Sequence, residues 1–125
     1  MSDQFFLKET KNTPMMVFDP GANKFEIIGR SFHENPEKIY SQAISWVESF
    51  QPEKGSEFCI VLNFTYLSST SVIYLLRLLK RFDAIDKKRC SISVKWQYAD
   101  DDEIILVTGE DLESLVSLKF EFEPV

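Results

Sequence analysis

The stretch from Ile60 to Phe82, IVLNFTYLSSTSVIYLLRLLKRF, sets the tightest limit on what this chain can fold into. Its opening, Ile60-Val61-Leu62-Asn63-Phe64, is rich in β-branched and large apolar residues, the composition of a strand in the middle of a sheet and covered on both faces. Val72, Leu75, Leu76, Leu79 and Phe82 then recur at helical spacing. Between the two lie Ser68, Ser69, Thr70 and Ser71. The junction therefore reads as strand, short turn and hydroxyl-capped helix. A hydroxyl at a helix start accepts a bond from an otherwise unpaired backbone N–H, a contribution of about 1 kcal/mol. One cap needs one hydroxyl, from Ser68 or Ser69, so this turn carries a surplus.

The flanking segments extend the same grammar. Pro14 to Phe18 and Lys24 to Gly29 read as two strands joined by Asp19-Pro20-Gly21-Ala22-Asn23, where proline fixes φ and glycine admits a positive φ. Asn35-Pro36 opens a helix as N-cap and first helical residue, with Ile39, Ala43, Trp46, Val47 and Phe50 as its apolar stripe. Pro52 and Gly55 end it before a central strand from about Glu57 to Tyr66, and the second helix spans about Ser69 to Asp86. Lys87-Lys88-Arg89 lies near that helix's end, where cations suit the dipole. Cys90 to Tyr98 alternates as a strand. Ala99 to Ser117 reads as a helix opened by Asp100-Asp101-Asp102-Glu103, although Gly109 weakens it by up to about 1 kcal/mol relative to alanine. Leu118 to Phe122 alternates as a last strand. The order β-β-α-β-α-β-α-β describes a single α/β domain with a mixed sheet. Residues 1–12 are expected to form a flexible segment and 13–125 the domain.

At 125 residues, with 44% hydrophobic and 14% aromatic composition, the chain can bury a core without staples. Cys59 and Cys90 sit in strand-like runs and are expected to be reduced core residues. No apolar run reaches the roughly 18 residues of a membrane span, and no signal pattern opens the chain, so a cytoplasmic location without membrane insertion is expected. A formal net charge of −6 speaks against nucleic-acid binding through phosphates.

Enzyme chemistry finds little support. His33 is the single histidine, the cysteines lack CxxC spacing, and neither phosphate-binding glycine motif occurs. The acidic run Asp100 to Glu103 is explained more cheaply by the adjacent helix dipole than by a divalent cation. No catalytic residue, cofactor site or metal site is assigned. The hydroxyl turn has two readings. In one it is a cap plus small residues packed where strand meets helix. In the other it is a phosphorylation site, since a phosphoryl group at a helix N-terminus finds free N–H groups and adds a charge of about −1.5 to −2.

Several motifs in order along nearly the whole chain carry a resemblance: Thr13-Pro14, SFHEN before the first helix, ISWVESF within it, YLSSTS, WQYADDDE, and GEDLESL followed by FEFEP. Together they resemble the SiaC family of bacterial regulatory phosphoproteins, whose fold is similar to the STAS domains of anti-sigma-factor antagonists. In that family the turn typically reads YLNTSS with a phosphorylated threonine in fourth place. Here the matching run is Tyr66-Leu67-Ser68-Ser69-Thr70-Ser71, so the resemblance implies Ser69 as acceptor, with Thr70 and Ser68 next. This chain has serine for both the family's asparagine and its threonine, and Val72-Ile73 where a basic residue often follows.

The resemblance implies a partner switch acted on by a cognate Ser/Thr kinase and a PP2C-type phosphatase. Its unphosphorylated form would bind and activate a diguanylate cyclase, raising cyclic di-GMP and influencing biofilm or aggregation. Tyr66, Leu67, Ser68, Ser69, Thr70 and Ser71 would form the partner surface, with His33, Glu34 and Asn35 as a neighbouring loop. The alternatives are an anti-sigma-factor antagonist and a nucleotide or small-ligand sensor using the same turn.

Overall fold

The computed structural model describes residues 4–85 and 87–125. Among them a six-stranded sheet runs in sequence order, β1 (Phe5–Leu7), β2 (Met15–Asp19), β3 (Lys24–Ser31), β4 (Ser56–Leu67), β5 (Cys90–Tyr98) and β6 (Lys119–Pro124). Helices α1 (Pro36–Ser49), α2 (Ser69–Asp83) and α3 (Glu103–Glu113) fill the connections after β3, β4 and β5. The strands β1, β2 and β3 pair antiparallel, whereas β3, β4, β5 and β6 pair parallel, so the sheet is mixed as expected.

The strand order never reverses, and this has a geometric consequence. Each β-helix-β crossover is right-handed by steric preference, so crossovers that all advance in one direction place their helices on the same face. Ring contacts agree. Trp46 of α1 and Phe82 of α2 meet Phe25, and Trp96 meets α3 through its indole N–H, on the face that Phe25 shares in register with Ile60 and Val94. Ile60, Leu62 and Phe64 are buried there, while Cys59, Val61, Asn63 and Thr65 point to an uncovered face. The expectation that β4 is covered on both faces is therefore corrected. Cys59 is exposed instead of buried for the same reason, whereas Cys90 is in the interior and neither forms a disulfide. On the open face Asn63 Nδ2 donates to Gln97 Oε1 at 3.0 Å, and Gln97 Nε2 donates to Glu123 Oε1 at 2.7 Å, a polar ladder across three strands.

Other details depart from expectation. Residues up to Asn12 are not wholly loose, because Phe5–Leu7 pairs with β2 and Phe5 stacks on Phe18 at 5.3 Å; residues 1–3 lie outside the described residues. In the β2–β3 turn the positive φ falls on Asn23, not on Gly21, and Asp19 Oδ1 accepts from the Ala22 N–H. Asn35 stands at the N-cap of α1, but its side chain makes no capping bond. The buried stripe of α1 is Pro36, Tyr40, Ala43 and Val47, with Ile39 and Trp46 half-buried. Helix α2 ends at Asp83, so Lys87 to Arg89 lie beyond its last turn, which holds Lys80 and Arg81; Asp86 lies outside the described residues. No helix among the described residues is long and apolar enough to cross a membrane.

Gly109 fits into α3 after all, and its missing side chain is the reason. A Cβ there would stand 2.5 Å from Trp96 Nε1 and 2.6 Å from its Cε2, so glycine lets the helix lie directly on the indole. Helix α3 spans Glu103 to Glu113, shorter than expected at both ends, with Asp102 as N-cap accepting from the Ile105 N–H at 3.1 Å. Gly109→Ala is expected to destabilise by about 1–3 kcal/mol, because overpacking against a buried ring outweighs the gain in helix propensity. Denaturant unfolding checks this, and a variant as stable as the parent would show that the ring yields.

Candidate functional site

Parallel strands β3 and β4 end together, so the loop after β3 and the turn after β4 emerge at one edge of the sheet. A bulge shapes this edge. Gly29 pairs with Phe64 but Arg30 pairs with Tyr66, leaving Thr65 without a register partner. Gly29 has φ +131°, and a Cβ there would meet Glu9 Oε2 at 2.6 Å, so only glycine suits the position. Beyond the bulge Ser31 pairs with Leu67, and its carbonyl accepts from the Ser68 N–H at 2.9 Å.

The hydroxyl turn is sorted by this geometry into different roles. Ser68 is the N-cap of α2, its Oγ accepting from the Ser71 N–H at 3.1 Å. Ser71 is fully buried, and its Oγ accepts from Ser68 Oγ at 3.0 Å and from Ser31 Oγ at 2.9 Å. Ser31 Oγ and Tyr40 OH share a further hydrogen bond of 2.9 Å, which either hydroxyl can donate. A chain of four hydroxyls, buried at Tyr40, Ser31 and Ser71 and half-buried at Ser68, thus ties α1, β3 and the start of α2 together. Burial pushes the Tyr40 phenol up to about 12, opposed in part by its bond to Ser31. Ser69 and Thr70 are exposed, and among the described residues no hydrogen bond engages either hydroxyl, unlike those of Ser68 and Ser71. Ser69 is the first residue of α2, whose first turn contains no acidic residue, so the positive end of the helix dipole is uncompensated there.

Around the turn, Tyr66 is 54% exposed and Phe32 is 38% exposed, and their rings meet edge to face at 5.5 Å. Leu67 is half-buried at the strand end. In the loop after β3, His33 is half-buried and its Nδ1 accepts from the Asn35 N–H at 2.9 Å, while Glu34 and Asn35 are exposed. The expected partner residues therefore share one edge, except that Ser71 faces inward and cannot touch a partner. Reading the sequence by helical stripe missed Tyr40, although Pro36, Tyr40, Ala43 and Val47 have the spacing of a buried face. It also missed Phe32 and Ser31, for which the only signal was their place in the SFHEN segment.

A family model described as SiaC family regulatory phosphoprotein matches residues 7–125. An uncharacterised protein of Pseudomonas aeruginosa (strain UCBPP-PA14) is 25% identical over 120 residues, which is 96% of this chain and 94% of that protein. The fold is similar to that of SiaC from P. aeruginosa in its crystal complex with the diguanylate cyclase SiaD, which it activates (TM-score 0.85, 23% identity, covering 97% of this chain and 99% of that one). It is also similar to apo-SiaC of the same organism (TM-score 0.80, 22% identity, covering 97% and 98%).

Proposed function

Because this chain belongs to the SiaC family of regulatory phosphoproteins, we propose that it is a partner switch whose state is set by phosphorylation of Ser69, and that its unphosphorylated form binds and activates a diguanylate cyclase. The observation that carries this reading is the sorting of the hydroxyls. Ser68 caps, Ser71 is buried, and Ser69 is exposed at an uncompensated helix N-terminus, in the fourth place of the turn. A kinase can reach it without unfolding the helix, and the phosphoryl group would meet first-turn N–H groups. Thr70 shares the exposure but not the position.

The same charge that the helix accepts would disturb a partner seated on Tyr66 and Phe32. A phosphoryl group adds bulk and a charge of about −1.5 to −2 beside that aromatic pair. A Ser/Thr kinase and a PP2C-type phosphatase would set the two states, and a cytoplasmic setting goes with an ATP-using kinase. The protein then acts by binding, with no catalysis of its own.

The test uses purified diguanylate cyclase from the same host, related to SiaD, with the wild-type chain, Ser69→Ala and Ser69→Asp. The wild type and Ser69→Ala should bind and raise cyclase activity, whereas Ser69→Asp should bind at least about tenfold more weakly, a loss of about 1.4 kcal/mol. Equal binding by all three would remove Ser69 from the switch.

A further inference from the structure

Charge is distributed very unevenly along this chain. Asp100 to Glu113 contains seven of its 20 acidic residues and none of its 14 basic ones, so with a net charge of −6 overall this short segment carries −7 and everything else +1. The segment is α3 and the turn that leads into it. Asp102 is used as the helix cap, but Asp100, Asp101, Glu103, Glu110, Asp111 and Glu113 are all exposed.

An apolar stripe lies along the same helix. Ile104 is 79% exposed and Val107 51%, and Leu115, just past the helix end, is 56% exposed. Ile104 and Val107, three residues apart, lie on one side of the helix, opposite the buried Ile105, Gly109 and Leu112, and Leu115 adds an exposed apolar side chain at its end. Helices α1 and α2 pack against each other, whereas α3 packs against β4, β5 and β6. Its outward side is therefore apolar in the middle and acidic at the flank.

We propose that the outward face of α3 is a docking surface for a basic amphipathic helix of a protein partner. Apolar residues of that helix would cover Ile104, Val107 and Leu115, and its Lys or Arg side chains would pair with Glu103, Glu110 and Asp111. The choice of occupant follows from complementarity: an acidic peptide or an anionic lipid surface would be repelled by the −7 of this segment, and a neutral apolar helix would leave its carboxylates unpaired. The inference rests on the reading that the chain works by holding a protein partner, and adds a second contact region to the Ser69 edge.

The experiment titrates the same host cyclase by calorimetry with the wild type, Ile104→Ser/Val107→Ser, Glu110→Gln/Asp111→Asn, and Ser69→Asp. The substituted α3 positions are exposed, and near-ultraviolet circular dichroism of Trp96 verifies the fold. The apolar pair should lose about tenfold or more in affinity. The amide pair should bind more weakly at low salt and lose much of the salt dependence, since screening acts on the carboxylates it removes. If both α3 variants bind as the wild type does while Ser69→Asp is weakened, this inference is overturned and the Ser69 reading stands.

If the wild type does not bind the cyclase, the proposed function fails instead. The surface is then decided by amide chemical shifts on titration with a synthetic helical peptide bearing leucines on one side and lysines on the other. Shifts centred on Ile104, Val107 and Leu115 support the docking surface, and shifts centred elsewhere, or none, overturn it.

Discussion

Trp96→Ala is expected to cost about 3–5 kcal/mol, the usual range for removing a buried aromatic ring, and a large part of the roughly 5–15 kcal/mol that holds a domain folded. Trp96 is 0% exposed and sits where β5 meets α3. Its ring lies 6.0 Å from that of Phe64 and 6.4 Å from that of Phe120, and its Nε1 donates to the Ile105 carbonyl at 3.0 Å. Alanine would leave a cavity beneath Gly109, which has no side chain to fill it. Trp96→Phe should cost less, because most of the ring volume stays while the hydrogen bond is lost. The two sites are coupled by contact, so Gly109→Ala should be milder in the Trp96→Phe background, where the atom nearest its new Cβ is gone. Urea unfolding of the four combinations measures this. Strict additivity would show that the helix does not rest on the indole.

The second large effect is expected at high pH. Tyr40 is buried with its phenol raised to about 12, whereas an unfolded tyrosine titrates near 10. Below pH 10 both states keep the proton and the contribution of Tyr40 to stability is constant. As pH rises from 10 to about 12 the unfolded state loses its proton while the folded state holds it, so stability falls across that window. At about 1.4 kcal/mol for each step of one in pKa, the loss reaches roughly 2–3 kcal/mol. Tyr40→Phe lacks the group. It should be somewhat less stable at neutral pH, for want of the bond to Ser31, and should lose less stability between pH 10 and 12 than the wild type. Parallel slopes for the two proteins in that range would mean that the phenolate is accommodated in the core.

This hydroxyl chain also bears on how the proposed switch would work. Tyr40, Ser31, Ser71 and Ser68 hold the start of α2 from beneath, so Ser69 stands on a fixed platform and not on a mobile loop. Phosphorylation there would change surface charge with little demand for refolding. A partner reading Ser69, Tyr66 and Phe32 together would meet a preformed edge, which limits the ordering cost of association.

Local chemistry was enough to find most of the elements. Apolar alternation marked β5 and β6, helical spacing marked α1 and α2, and Asn35-Pro36 and the hydroxyl turn marked where helices begin. All of these depend on neighbours within a few residues, so the sequence displays them directly. The Ser69 turn was legible for the same reason, since a cap and its surplus hydroxyls are contiguous.

What was not legible depends on residues far apart in the chain. Whether Cys59 is buried, and whether β4 is covered on one face or two, was decided by crossovers that all advance in one direction and put every helix on one side. Gly109 looked like a helix breaker until Trp96, on another element, supplied the reason for its small size. The three residues Phe5–Leu7 are too short to announce a strand, and they become one only because β2 offers an unpaired edge. Ser71 and Ser69 are chemically the same and two positions apart, yet one is sealed against Ser31 and the other open to solvent. The turn of the helix against β3 and α1 makes that difference, because only tertiary packing determines which side of a helix faces inward.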